Sequence, residues 1–294
     1  MEHEHETSKN RVLATIILNT SITAFEIIGG IFSRSTALLS DALHNLSDTV
    51  AGVLTYSTMR ISERKANRKF TFGYKRTEIL SAFINSSVLL VIAALLMKEG
   101  MQKLFHPSDI KTNIMLVVSV IGLLANGAAV ILLSRHSKEN INIKSAYVHL
   151  FGDTISSVGV VLSAIIMHFF GLRILDPIMT ILISVYMLFE GFKIIKESSE
   201  ILLECSPNNV DIMEIEKELL NINGIKNVHH VHLWRLNDKE LLFEAHINVD
   251  NINISDSKKI RNEAEKILED KFNIFHSTIQ FEHNEHLDER LLHR

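Results

Sequence analysis

The sequence predicts an α-helical membrane protein with six transmembrane helices, followed by a C-terminal cytoplasmic α+β domain of order α-β-β-α-β. Three observations predict it. Six apolar stretches, about residues 12–32, 37–59, 78–97, 113–133, 146–170 and 174–192, each approach the roughly 20 residues that a bilayer-spanning helix needs. No such stretch follows residue 205, where the pattern changes to short amphipathic segments. The charge changes at the same point. Residues 207–294 carry 11 Lys/Arg against 17 Asp/Glu, a balance of −6, whereas residues 1–206 carry 19 against 17. An acidic tail domain argues against nucleic acid as a partner and suits cations.

The N-terminal "MEHEHETSKN" is polar and acidic where a signal peptide would be basic, so residues 1–10 read as a cytoplasmic tail, with His3 and His5 solvated. The six-helix domain follows over residues 11–205. Its orientation comes from the connections. The 60–76 loop holds Arg60, Arg64, Lys65, Arg68, Lys69, Lys75 and Arg76, whereas the 33–36 turn has only Arg34 and the 171–173 turn only Arg173. The middle connection on that side has Lys98, Lys103 and Lys111. The positive-inside rule puts the N-terminus, the 60–76 and 134–145 loops and the tail in the cytoplasm, in a multi-pass protein of the cell membrane. Gly29 and Gly30 read as places of close helix approach, and Asp176-Pro177 as the cap and first turn of span six. The single Cys205 excludes an internal disulfide.

The cytoplasmic domain spans residues 206–284. Ile212, Ile215, Leu219 and Ile222 recur at helical spacing within 208–222. "IKNVHHVHLWRL" (225–236) is rich in β-formers, and "ELLFEAHINVD" (240–250) alternates Phe243, Ala245, Ile247 and Val249 with Leu242, Glu244, His246 and Asn248. The turn "LNDKE" joins these two as a hairpin. Residues 255–272 open on a Ser/Asp cap and repeat Ile260, Ala264, Ile267 and Leu268, which predicts helix. "HSTIQFEH" (276–283) is the last strand, and 285–294 a flexible tail.

Span two raises the chemical question, because "LLSDALHNLSDTVAG" (38–52) puts Asp41, His44, Asn45, Ser47 and Asp48 into an apolar run. His44 and Asp48 are four apart, so they share one helix face. "HNLSDTVAGV" (44–53) is echoed in span five by "HLFGDTISSVGV" (149–160), with His149 and Asp153 at the same spacing. One such pair in a soluble helix would be a solvated pair. Inside a bilayer a charged group costs at least ~2.5 kcal/mol and marks an ion pathway. Two imidazoles and two carboxylates make a four-ligand set that suits zinc, with cobalt and cadmium following, over manganese, magnesium and calcium. Glu26, Asp41, Asn45 and Asn126 are further polar groups within the spans, as pathway lining or helix-to-helix bonds. No His-Glu-x-x-His occurs, so the chain does not read as a metalloprotease or other enzyme.

These residues carry a resemblance. "SDALHNLSD", "FTFGYKRTEIL", "HLFGDTISSVGV", "ILDPIMT", "VHHVHLW" and "HSTIQFEH" resemble a cation diffusion facilitator of the bacterial zinc, cadmium and cobalt efflux type, over nearly the whole chain. The resemblance implies a homodimer in the lipid bilayer, metal export in exchange for protons, and a metallochaperone-like cytoplasmic domain. His44, Asp48, His149 and Asp153 fall on the family's transport-site positions. His229, His246 and Glu282 fall on positions that bind regulatory zinc in relatives, with His232 close by. Some relatives bind metal in the loop corresponding to 60–76, which here has no His or Asp. The competing reading is a membrane-anchored zinc sensor or storage protein without transport.

Overall fold

The computed structural model describes residues 20–134, 141–285 and 291, with only the backbone at 129, 132–134 and 141–149. His3, His5 and the 135–140 connection lie outside the described residues. Six helices come first: α1 (Thr20–Ser33), α2 (Thr36–Ser62), α3 (Thr77–Phe105), α4 (Thr112–Ser134), α5 (Ile141–Phe170) and α6 (Leu175–Leu202). Then follow α7 (Ile212–Leu220), β1 (Ile225–Arg235), β2 (Leu241–Val249), α8 (Ile254–Phe272) and β3 (His276–Glu282). The chain forms two compact units, one of residues up to Ser57 with Ser81–Ile195, the other of Thr58–Leu80 with everything from Lys196 on.

In the first unit the usual distribution is inverted. Phe25, Ile31, Phe32, Val91, Leu95, Leu124, Phe169, Phe170, Phe189 and Phe192 are exposed, whereas Thr23, Glu26, Asp41, His44, Asn126, Asp153, Asp176 and Thr180 are buried. Water would drive the first set inward; hydrocarbon leaves it outside and hides the polar groups. The α3 helix, Leu150–Phe170 of α5, and α6 are long and apolar enough to cross a membrane. The apolar parts of α1 and α4 described here, Thr20–Ser33 and Thr112–Ala128, are shorter, and α2 is diluted by its own polar groups. Close packing needs small residues in places. A Cβ on Gly29 would lie 2.6 Å from Val118 of α4, so α1 can approach α4 only through glycine.

Asp176 does not cap its own helix. Its carboxylate accepts from Ser35 Oγ (2.5 Å), the Thr36 amide (3.0 Å), Thr36 Oγ1 (2.8 Å) and the Ala37 amide (3.2 Å). It therefore satisfies the orphan donors at the start of α2 from the first turn of α6. Thr180 Oγ1 donates to Thr36 Oγ1 (2.9 Å) beside it. The first turns of α2 and α6 are thus held together. Asp176→Ala leaves buried donors unpaired, and a lost cap costs about 0.5–2 kcal/mol. The purified protein should melt several degrees lower, and Asp176→Asn should recover part of the loss; unchanged melting would deny the cap its role.

In the second unit the sheet order is β1-β2-β3, with β1 and β2 antiparallel and β2 and β3 parallel. Its core packs Phe243, Ala245, Ile247 and Val249 of β2 against Ile215 and Leu219 of α7 and Ala264 and Leu268 of α8. The helix α7 starts at Asp211, whose side chain accepts from the Met213 amide. The helix α8 starts one residue before the expected Ser/Asp cap; Asn253 takes the N-cap position in extended conformation without a side-chain bond. Of the segment expected to be flexible, the Glu285 carbonyl accepts from Asn248 Nδ2 (2.6 Å), and Leu291 packs on the core with its carbonyl accepting from the Val231 amide (2.9 Å). The 58–80 segment belongs to this unit through an ion pair of Lys75 with Glu240 and another of Arg76 with Glu204 (2.8 Å).

Candidate metal centres

The first centre lies between α2 and α5. His44 Nε2 is 3.1 Å from Asp153 Oδ1 and 3.6 Å from Asp48 Oδ2. One donor atom from each of the three lies within 4.8 Å of the others. His44 and Asp153 are buried, and the Asp48 side chain is 31% exposed, so the group opens on the Asp48 side. The backbone of α5 puts His149 one turn before Asp153; its side chain lies outside the described residues. A tetrahedral zinc with bonds of about 2.0–2.2 Å needs ligand-to-ligand separations of roughly 3.3–3.6 Å. The observed 3.1 and 3.6 Å bracket that span closely, with small adjustments only.

The register of the two helices is set one turn away. Asp41 of α2 accepts from Ser156 Oγ (2.5 Å) and Ser157 Oγ (2.9 Å) of α5, and Asn126 Nδ2 of α4 donates to Ser157 Oγ (3.2 Å). Glu26 of α1 accepts from Asn45 Nδ2 (3.1 Å). The four polar groups singled out from sequence therefore all bond between helices, and Asp41 is buried at the α2–α5 contact. Ser156, Ser157, Tyr186 and Glu190 were not singled out from sequence. The Tyr186 ring of α6 meets the His44 ring edge-on, with centroids 5.5 Å apart, and its hydroxyl donates to Glu190 Oε1 (2.9 Å). Glu190 was legible as a carboxylate inside the sixth apolar stretch.

The second centre is on the sheet. His229 of β1 pairs with His246 of β2, and Glu282 of β3 lies in parallel register with Asn248, two pairs beyond Gln280 and His246. Glu282 bridges the two rings, Oε2 at 3.2 Å from His229 Nε2 and Oε1 at 2.8 Å from His246 Nδ1. The donors of all three lie within 4.8 Å of one another. His229 Nδ1 donates to Asn227 Oδ1 (2.9 Å), which turns Nε2 toward the group, and Gln280 Nε2 donates to Glu282 Oε1 (2.9 Å). Ligating histidines are ordinarily oriented through their second nitrogen in this way. A register shift between His229 and His232 marks a bulge, with His230 at φ 52°. The bulge stacks the His230 ring on His246 (4.6 Å, 11°) and leaves His232 exposed opposite Glu244, outside the three-residue group.

A family model for the cation efflux transmembrane domain matches residues 12–203, and one for the cytoplasmic domain of cation efflux proteins matches residues 207–284. Three relatives align along almost the entire chain. The "Cadmium, cobalt and zinc/H(+)-K(+) antiporter" of Bacillus subtilis is 36% identical over 291 residues, 97% of this chain and 93% of the relative. The "Metal cation efflux system protein CzcD" of Cupriavidus metallidurans is 35% identical, covering 95% of this chain and 89% of the relative. The "Zinc transporter ZitB" of Pectobacterium atrosepticum is 36% identical, covering 96% and 88%. With both halves of the chain matched and the relatives aligned almost end to end, this multi-pass membrane protein belongs to the cation efflux family.

Proposed function

We propose that the chain exports divalent cations, zinc first and cadmium or cobalt after it, in exchange for protons, through a site of His44, Asp48, Asp153 and His149. The observation that supports it is the trio of buried His44 and Asp153 with part-exposed Asp48, with donor atoms within 4.8 Å and spacings to His44 that suit a tetrahedral ion. The empty site with both carboxylates ionised carries −2, which is costly inside a membrane. One zinc ion neutralises it on the way out. Protons do so on the return, because metal and protons compete for the same donors. The substrate class is in keeping with relatives whose names specify zinc, cadmium and cobalt.

In this reading all six helices span, the termini are cytoplasmic, and the protein works as a homodimer with residues 206–284 as its regulatory domain. Zinc there would be held by His229, His246 and Glu282, a donor set of two imidazoles and one carboxylate that suits it. A sensor without transport has no need of ligands buried among spanning helices.

The test is flux in proteoliposomes with zinc, cadmium, cobalt or manganese on one side and a pH-sensitive dye on the other. Zinc movement should be accompanied by proton movement in the opposite direction and should slow when the pH gradient is collapsed. Flux of zinc with neither response would rule out exchange. His44→Asp makes the donor set harder. It should lower the zinc-to-manganese flux ratio about tenfold or more, and an unchanged ratio would show that the residues holding the ion do not set selectivity.

A further inference from the structure

Glu190 is a carboxylate on a third helix beside the first centre, and the transport chemistry above does not use it. Its height in the bundle follows from the Asp176 clamp. Thr36 of α2 and Asp176 of α6 are bonded to each other, and His44 and Tyr186 touch further along. These contacts lie eight residues beyond Thr36 and ten beyond Asp176, so the two helices run in the same direction from a common level. Asp48 is twelve residues beyond Thr36, about 18 Å along the axis, and Glu190 fourteen beyond Asp176, about 21 Å. Glu190 is therefore level with the most exposed member of the trio, on the side where the trio opens.

The side chain is also held. The Tyr186 hydroxyl donates to Glu190 Oε1 while the Tyr186 ring packs edge-on against His44. The hydroxyl lies beside Gly152, next to Asp153, within 3.4 Å of where a Cβ there would sit, an ordinary contact distance. The tyrosine thus spans from the transport histidine to a carboxylate at the mouth of the site. Both Tyr186 and Glu190 are half-buried.

We propose that Glu190 is a capture ligand for the divalent cation: it binds the ion from solution through Oε2 and hands it to Asp48, His44 and Asp153 without joining the final set. The inference rests on the transport reading and names a step of it. A fixed carboxylate at the mouth of a water-poor pathway concentrates cations there and raises their rate of arrival. It also replaces part of the hydration shell before the buried ligands must do so. Tyr186 acts as a positioning residue that keeps Glu190 aimed at the mouth.

The experiment is zinc flux in proteoliposomes with the full chain, comparing wild type, Glu190→Gln, Glu190→Asp, Tyr186→Phe and Asp153→Ala. Glu190→Gln should raise the KM for zinc about five- to tenfold with kcat within about twofold, since arrival and not passage is impaired. Its KM should respond less steeply to ionic strength than that of wild type. Tyr186→Phe should raise KM about two- to threefold, and Glu190→Asp, which keeps the charge, should recover most of the wild-type KM. An unchanged KM in Glu190→Gln overturns the proposal. So does a collapse of kcat equal to that of Asp153→Ala, which would make Glu190 a member of the final set. A failure of Glu190→Asp to rescue would mean that packing, not charge, is what the position supplies. If wild type itself moves no zinc, the transport reading fails instead.

Discussion

Asp153→Ala should abolish zinc export while the protein stays in the membrane at normal abundance. The same is expected of His44→Ala, Asp48→Ala and His149→Ala. Replacing a residue that merely orients a ligand typically costs ~10–100-fold in metal affinity, so removing a ligand should cost more than about 100-fold. Asp153 Oδ1 and Asp48 Oδ2 stand 3.1 and 3.6 Å from His44 Nε2, so truncating either carboxylate takes a donor and a negative charge out of the trio. Asp153→Asn separates charge from shape. It keeps the volume and a polar contact to His44 but removes one of the two negative charges that a divalent ion must find. It should transport no better than Asp153→Ala, even though it packs better. The measurement is zinc tolerance conferred on a sensitive host, with membrane abundance followed in parallel. Full activity in Asp48→Ala or Asp153→Ala would sink the shared site.

Much of this was legible in the sequence, and the residues that escaped share a cause. Period-two alternation in 240–250 and the helical spacing of Ile215, Leu219, Ala264 and Leu268 correspond to the buried faces of β2, α7 and α8. Hydropathy located α3 and α6 but not their ends. They run on to Phe105 and Leu202 because a helix does not stop where its apolar stretch does. Asp176 was read as a local cap, and its partners lie about 140 residues away, a distance no local pattern encodes. Glu190 is legible as a carboxylate in a span, but its place beside the first centre is not, because only the fold sets Tyr186 against His44. The bulge in β1 escaped because His230 takes a left-handed conformation more usual for glycine or asparagine, so no sequence signal marked it. That bulge is what keeps His229 in the second group and turns His232 out of it.

Zinc should raise the melting temperature of the cytoplasmic domain by on the order of 10 °C, and His229→Ala should remove the effect. The domain is suited to measurement alone, because every residue of its core falls between Val210 and Leu291. Two imidazoles face one almost fully buried carboxylate, with Glu282 Oε2 at 3.2 Å from His229 and Oε1 at 2.8 Å from His246. The ligands come from β1, β2 and β3, so an ion held by all three clamps the parallel β2–β3 pairing as well as the hairpin. A ligand that binds only the folded state at about a hundred times its Kd adds roughly 2.7 kcal/mol. In a domain of this size each kcal/mol moves the midpoint by about 4–8 °C. His232 serves as the control: it is exposed, lies past the bulge and should leave the response intact when changed to Ala. His246→Ala and Glu282→Gln should abolish the response as His229→Ala does, each by removing one donor. The measurement is thermal unfolding of residues 206–294 with zinc and with chelator. Equal midpoints in the two conditions would remove zinc from this sheet, and a lost response in His232→Ala would bring that residue back into the site.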